Sequence, residues 1–168
     1  MFIDIRNFTP LAEKVDPRTL IMVLNNFFDV CINTITMHGG FIDKFIGDAI
    51  MVVFGAPSRD ERHRENAIRC AVALERALAT MDAWVKSLGV DWEFGYGIGV
   101  NSGEVILGNV GTDRRMEYTA MGDAVNIASR LENLTRQVGK PILVGEDCAR
   151  SCPAEFIREG PFLARLKG

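Results

Sequence analysis

The stretch FIDKFIGDAIMVVFG, Phe41 to Gly55, decides how the chain is read. Two runs rich in β-branched and aromatic residues, Phe41 to Phe45 and Ala49 to Phe54, lie on either side of Ile-Gly-Asp, the pattern of a β-hairpin with a tight glycine turn. The second run is apolar enough to be a buried strand. Yet Asp48 stands at its mouth and Lys44 lies four residues earlier. A solvated turn accounts for two such charges, and so does a cleft that needs a carboxylate and an ammonium. The rest of the sequence has to choose between them.

Outward from the hairpin, the order of elements follows from local signals. Upstream, MFIDI reads as a strand. Asp16 and Pro17 form an N-cap followed by proline at the first helical position. A helix is predicted from there to about Met37, with Leu20, Leu24, Phe27, Phe28, Cys31, Ile32 and Ile35 on its buried face and Gly39-Gly40 as its stop. Downstream, a second helix is predicted from about Arg62 to Leu88, built on Ala67, Cys70, Ala71, Leu74, Leu78 and Met81. WEFGYGIGVNSGEVILGNVG reads as two strands joined around Asn-Ser-Gly, and TDRRMEYTAMGD as a projecting polar hairpin or arm. A third helix is predicted from Asp123 to Gln137, closed by Gly139, and a strand, a short helix and one or two more strands follow from Pro141. The predicted class is α+β: a ferredoxin-like βαββαβ core with extra C-terminal strands and a helix, all in one domain over residues 1–168.

Bulk properties exclude several functions. The 168 residues carry a formal charge of -3 and are 48% apolar. That lacks the basic excess of a general nucleic-acid binder, and no uninterrupted apolar run has the length of a membrane span. Because the chain starts directly on a strand-like run, its termini are expected to be clipped from a larger protein. The four cysteines, Cys31, Cys70, Cys148 and Cys152, form no C-x-x-C pair and read as reduced thiols of a cytoplasmic protein. The glycines of Gly97-x-Gly99 lack the third glycine of a dinucleotide fingerprint and fall within a strand. They fit better as places where another backbone comes close.

Residues with chemistry collect at strand ends and on the third helix. Asp4, near the end of the first strand, and Asp48 belong to neighbouring strands of such a sheet. Two carboxylates brought together repel unless a cation lies between them, and hard oxygen ligands suit Mg2+ or Mn2+. Read separately, each aspartate only caps a turn. Asn126 and Arg130, four apart, share a helix face. They suit ribose and phosphoryl oxygens, or a solvated face with an ion pair to Glu132 or another acid.

FIDIRNFT, KFIGDAIMVVFGAP, GIGVNSGEVILGNVG and EYTAMGDAVNIASRLE, in this order over nearly the whole chain, resemble the catalytic domain of class III nucleotidyl cyclases, most of all its bacterial adenylyl members. The resemblance implies a homodimer with shared active sites that turns ATP into 3′,5′-cyclic AMP and pyrophosphate with two Mg2+ or Mn2+ ions per site. By the same resemblance, Asp4, Asp48 and the backbone carbonyl of Ile5 hold metal, and Lys44 and Thr119 read the purine. Asn126 and Arg130 orient the ribose and stabilise the transition state, either Arg114 or Arg115 contacts phosphate, and the backbone of Phe8 and Thr9 cradles the terminal phosphates. Asn7 stands where the family commonly has glycine, and Asn tolerates a left-handed backbone. Thr119 replaces the aspartate of some relatives, and its hydroxyl can both donate and accept. The rival readings are a guanylyl cyclase, for which the glutamate and cysteine typical of base reading are missing, and a catalytically silent dimerisation or sensor module. A diguanylate cyclase is disfavoured because no GGDEF-like or GGEEF-like loop occurs. Regulatory domains on the parent chain and a cytoplasmic location, with a possible membrane anchor elsewhere in the parent, complete the expectation.

Overall fold

The computed structural model describes residues 1–156 and 159–161. In chain order its elements are β1 (Phe2–Ile5), α1 (Phe8–Lys14), α2 (Pro17–Met37), β2 (Phe41–Ile46), β3 (Ala49–Val53), α3 (His63–Leu78), α4 (Met81–Ser87), β4 (Tyr96–Val100), β5 (Ile106–Thr112), β6 (Arg115–Met121), α5 (Asp123–Val138), β7 (Ile142–Val144) and α6 (Glu146–Ala149). The main sheet has the order β2-β3-β1-β4-β7, and β5 pairs with β6 as a separate two-stranded sheet. The first four strands are antiparallel neighbours in the ferredoxin-like order, and β7 joins the β4 edge in parallel. The α+β class and βαββαβ core are as read from the sequence. The strands expected after α6 fall mostly outside the described residues.

The sheet buries one face against helices and uses the other for the site. Ile3 and Ile5 of β1, Ile50 and Val52 of β3, and Ile98 and Val100 of β4 are all almost inaccessible. They share one core with Phe27, Cys31 and Ile35 of α2 and Cys70, Ala71 and Leu74 of α3. Strand residues alternate between faces, so Phe2 and Asp4 of β1 point the other way. α2 starts as expected: both Asp16 side-chain oxygens are used, Oδ1 accepting from the Arg18 and Thr19 amides and Oδ2 from the Thr19 hydroxyl. Its fully buried residues are Val23, Phe27, Cys31 and Ile35, while Leu20, Leu24 and Phe28 are only partly buried.

Three readings need correcting. The helix expected over Arg62 to Leu88 is broken at Ala79–Thr80. The break lets α4 turn so that Met81 and Val85 pack into the same core as Leu78. The first of the two strands read in WEFGYGIGVNSGEVILGNVG begins only at Tyr96, with Trp92 and Phe94 buried outside it, while the second, β5, pairs along its whole length with β6, from Ile106↔Met121 to Thr112↔Arg115, as the projecting hairpin expected of the arm. Finally, α2 has the length and composition of a membrane span, 21 residues at mean hydropathy 1.4, because only Arg18 and Asp29 interrupt it. One face of it, Val23, Phe27, Cys31 and Ile35, packs into the core with α3 and the sheet, while 22% of its most apolar window is buried and Ile21, Met22 and Met37 are exposed.

The glycines of β4 do what the sequence reading asked of them. A Cβ on Gly99 would collide with the Ala128 carbonyl and the Glu132 amide of α5, and one on Gly97 with Thr135 and Glu132. α5 therefore docks backbone to backbone on the sheet, through Ala128, Glu132 and Thr135. Val125, Ile127 and Leu131 of the same helix are only partly buried. Gly99→Ala has no flexible side chain to push aside. It should destabilise the fold by about 3 kcal/mol, the upper range for overpacking, and lower the melting temperature by roughly 6–12 °C. A thermal melt followed by circular dichroism checks this.

Candidate active site

The first cluster forms where β1 ends and β3 begins. The register Ile3↔Ile50 brings Asp4 and Asp48 to the same end of the antiparallel pair. Asp48 reaches that place because Gly47 takes a positive φ of 63° in the hairpin turn. The two carboxyls are within hydrogen-bonding reach of each other. Burial first, then the contact and charge of Asp48, then Glu132, raise the Asp4 pKa to about 7. Asp4 Oδ1 is buried without a hydrogen-bond partner. Such an atom is costly unless something meets it, and a divalent cation would relieve both the missing partner and the like-charge contact.

The residues thus fit a metal of the Mg2+ or Mn2+ type, with oxygen ligands only. Among the described residues no group of three or more His, Cys, Asp or Glu is gathered. Two carboxylates leave the rest of a six-ligand shell to backbone carbonyls, water and substrate phosphates, which is how Mg2+ is commonly held. The Ile5 backbone does meet Asp4, but with its N–H on the carboxyl rather than through its carbonyl.

Glu132, one of the acids that a solvated face could offer Arg130, lies two residues from it and so on another helix face. It is 8% exposed and lies over Gly97, the β4 partner of Asp4. Burial raises its pKa, opposed by the Arg6 and Arg136 guanidiniums and reinforced by Asp48. Arg136 also donates to Asn7 Oδ1 at 2.6 Å. Asn7 is the left-handed residue before α1, at φ 58° and ψ 31°, the conformation expected of a glycine substitute. The contact ties α5 to the turn that presents Phe8 and Thr9, the first two residues of α1.

The second cluster lies between β2 and β6. Lys44 Nζ donates to Glu117 Oε2 at 2.6 Å, which holds the Glu117 carboxyl below its ordinary pKa. The Thr119 hydroxyl donates to Asp43 Oδ2 at 2.7 Å, and the Ala120 amide to Asp43 Oδ1 at 2.9 Å. Lys44 Nζ is 3.8 Å from the same Asp43 oxygen. The two residues expected to read the base are therefore neighbours, joined by an aspartate that the sequence reading left aside. Lys44 and Asp48 flank one hairpin turn and diverge, Lys44 toward the arm and Asp48 toward β1, which answers the question raised by the opening stretch.

Asn126 and Arg130 lie on α5 as read, Asn126 exposed and Arg130 partly so. Neither figures among the groups acting on Asp4. Arg114 sits in the turn of the arm and Arg115 opens β6, both exposed. The arm and its surroundings also expose large apolar side chains: Phe45, Ile46, Ile106, Val110, Met116, Tyr118 and Met121 are between 39% and 71% accessible.

A sheet of this order thus carries a carboxylate pair at its β1–β3 end and a lysine–threonine pair under a projecting arm. The model of the Adenylate and Guanylate cyclase catalytic domain family matches residues 1–155, and the chain belongs to that family. It is 36% identical over 169 residues to adenylate cyclase 1 of Rhizobium meliloti strain 1021, a match that takes in 100% of this chain and 25% of that protein. Its fold superposes on the crystal structure of the guanylyl cyclase Cya2 with a TM-score of 0.88 at 32% identity, covering 99% of this chain and 83% of that one. For the adenylyl cyclase CyaB from P. aeruginosa the TM-score is 0.82 at 32% identity, covering 89% and 76%. The chain spans between 6% and 31% of the length of the first curated relatives it matches.

Proposed function

We propose that residues 1–168 are the catalytic domain of an adenylyl cyclase, converting ATP to 3′,5′-cyclic AMP and pyrophosphate in grooves shared by two copies of the chain. The observation that carries the chemistry is the Asp4–Asp48 pair, with one oxygen of Asp4 buried and unpartnered. Asp4, Asp48 and the Ile5 carbonyl are the residues that would hold two Mg2+ or Mn2+ ions. When bound, such ions neutralise phosphate charge and acidify the ribose 3′-hydroxyl that attacks the α-phosphorus.

The remaining work is done by positioning and fixed charge. Lys44 and Thr119 hold the base. Asn126 fixes the ribose, and Arg130 balances charge that develops on the α-phosphoryl oxygens. Phe8 and Thr9 offer backbone amides to the terminal phosphates, in the place set by Asn7 and Arg136. Arg114 and Arg115 are the arm's candidates for phosphate. The second copy is inferred from the exposed apolar side chains of β2 and the arm, a surface of the kind that two-fold interfaces cover. Regulatory segments on a longer parent chain and a cytoplasmic setting, where ATP and free thiols coexist, belong to the same reading.

Likeness to the solved structures does not choose the base, because the guanylyl and the adenylyl cyclase structures are equally identical to this chain, whereas the named curated relatives, at 36–43% identity, are adenylate cyclases. The choice of ATP rests on those relatives and on Lys44 and Thr119. The test is turnover of ATP and of GTP by purified protein with Mg2+ or Mn2+. We expect cyclic AMP to form with at least about a tenfold advantage in kcat/KM, the worth of one well-placed hydrogen bond. Preference for GTP would overturn the adenylyl assignment, and a folded dimer that binds ATP and turns over neither nucleotide would favour the silent module.

A further inference from the structure

Asp43 is placed by an irregularity in the sheet. β2 pairs with β3 as Phe41↔Val53 and Ile42↔Val52, then resumes as Lys44↔Met51, so Asp43 is the additional residue of a β-bulge. In a regular strand, residues 43 and 44 would point to opposite faces. A bulge re-aims side chains, and here both Asp43 and Lys44 reach toward β6. The Asp43 side chain is wholly inaccessible, and its two oxygens are taken by the Ala120 amide and the Thr119 hydroxyl.

The consequence is a sign. A carboxylate has lone pairs and no proton to give, so the hydrogen between Thr119 Oγ1 and Asp43 Oδ2 belongs to the threonine. Oγ1 then has only lone pairs left for anything else. Lys44, an ammonium, offers only donors. The pair therefore presents one donor and one acceptor in fixed order. Adenine's edge answers with an acceptor at N1 and a donor at the 6-amino group. Guanine in the same pose presents an N–H to the lysine and a carbonyl oxygen to the threonine, two mismatches. A free threonine hydroxyl would turn its hydrogen toward that carbonyl and remove one of them.

We propose that Asp43 is the positioning residue that makes Thr119 an acceptor and so lets the site take adenine and refuse guanine. This rests on the reading above that Lys44 and Thr119 face the purine. It adds a cause for a preference that a bare hydroxyl does not supply.

The test is kcat/KM for ATP and for GTP, with Mn2+, in wild type, Asp43→Asn, Thr119→Val and the double variant. Asparagine keeps the shape and can still accept from Ala120, but its amide donates to Oγ1 and frees the threonine hydrogen. The ATP:GTP ratio should fall about tenfold, one hydrogen bond's worth, with ATP losing and GTP gaining. Thr119→Val should lower the ratio as well, and Asp43→Asn should add nothing to it. Asp43→Ala, which removes the acceptor and leaves the threonine hydrogen free to turn, should move the ratio the same way and covers the case in which Asp43→Asn does not fold. Equal losses for both nucleotides would make Asp43 a mere tie between strands, and an unchanged ratio would also overturn the proposal. A wild-type enzyme that prefers GTP would instead sink the adenylyl reading itself, which separates the two failures.

Discussion

Asp48→Ala should lower cyclic AMP formation by at least about 10³-fold, the scale set by loss of a single charge-stabilising donor or more, while the chain folds as before. The side chain lies in a turn after Gly47, outside the apolar core, so no packing is lost. Its removal also takes away the like charge beside Asp4. The Asp4 pKa is raised in the folded state from 3.8 to about 7, so the cost of ionising it is absent below the ordinary value, grows as pH rises between the two, and is fully present above about 7. At pH 8 without metal, the variant should therefore melt no lower than wild type. A thermal melt and a cyclic AMP assay on the same preparation check both halves. Retained turnover would remove Asp48 from the chemistry, and loss of folding would make it structural.

Mixing two inactive chains should restore activity. Arg130→Ala removes a guanidinium that is partly exposed on α5 and absent from the groups acting on Asp4. On the proposed two-fold dimer, each groove takes its carboxylates from one copy and Asn126, Arg130, Lys44 and Thr119 from the other. A heterodimer of Asp48→Ala and Arg130→Ala then has one groove with both defects and one with neither. With random pairing, half the dimers are mixed and each has one good site of two, so about a quarter of wild-type activity should return. Cyclic AMP formation measured after mixing, against each variant alone, gives the answer. No recovery, with mixed dimers shown to form, would place the whole site within one chain.

What the sequence made legible was local. The glycine turn of the β2–β3 hairpin, the Asp16 cap before Pro17 and the left-handed Asn7 are each set by a few adjacent residues, and each is where it was expected. The place of Asp4 beside Asp48 also followed, because neighbouring strands of this sheet order leave little choice. What the sequence concealed depends on residues far apart. Strand alternation assigns Asp43 to the face away from Lys44, and only the bulge reverses that. Glu132 looks like a surface acid until the glycines of β4 are seen to draw α5 onto the sheet.

The most direct measurement is the anomalous scattering of Mn2+ in crystals of the dimer grown with a non-cyclisable ATP analogue. Two peaks are expected between the Asp4 and Asp48 carboxylates and the triphosphate, at the coordination distances of about 2.0–2.2 Å typical of small hard cations on oxygen. Nucleotide bound in the groove with no manganese at either aspartate would contradict the account.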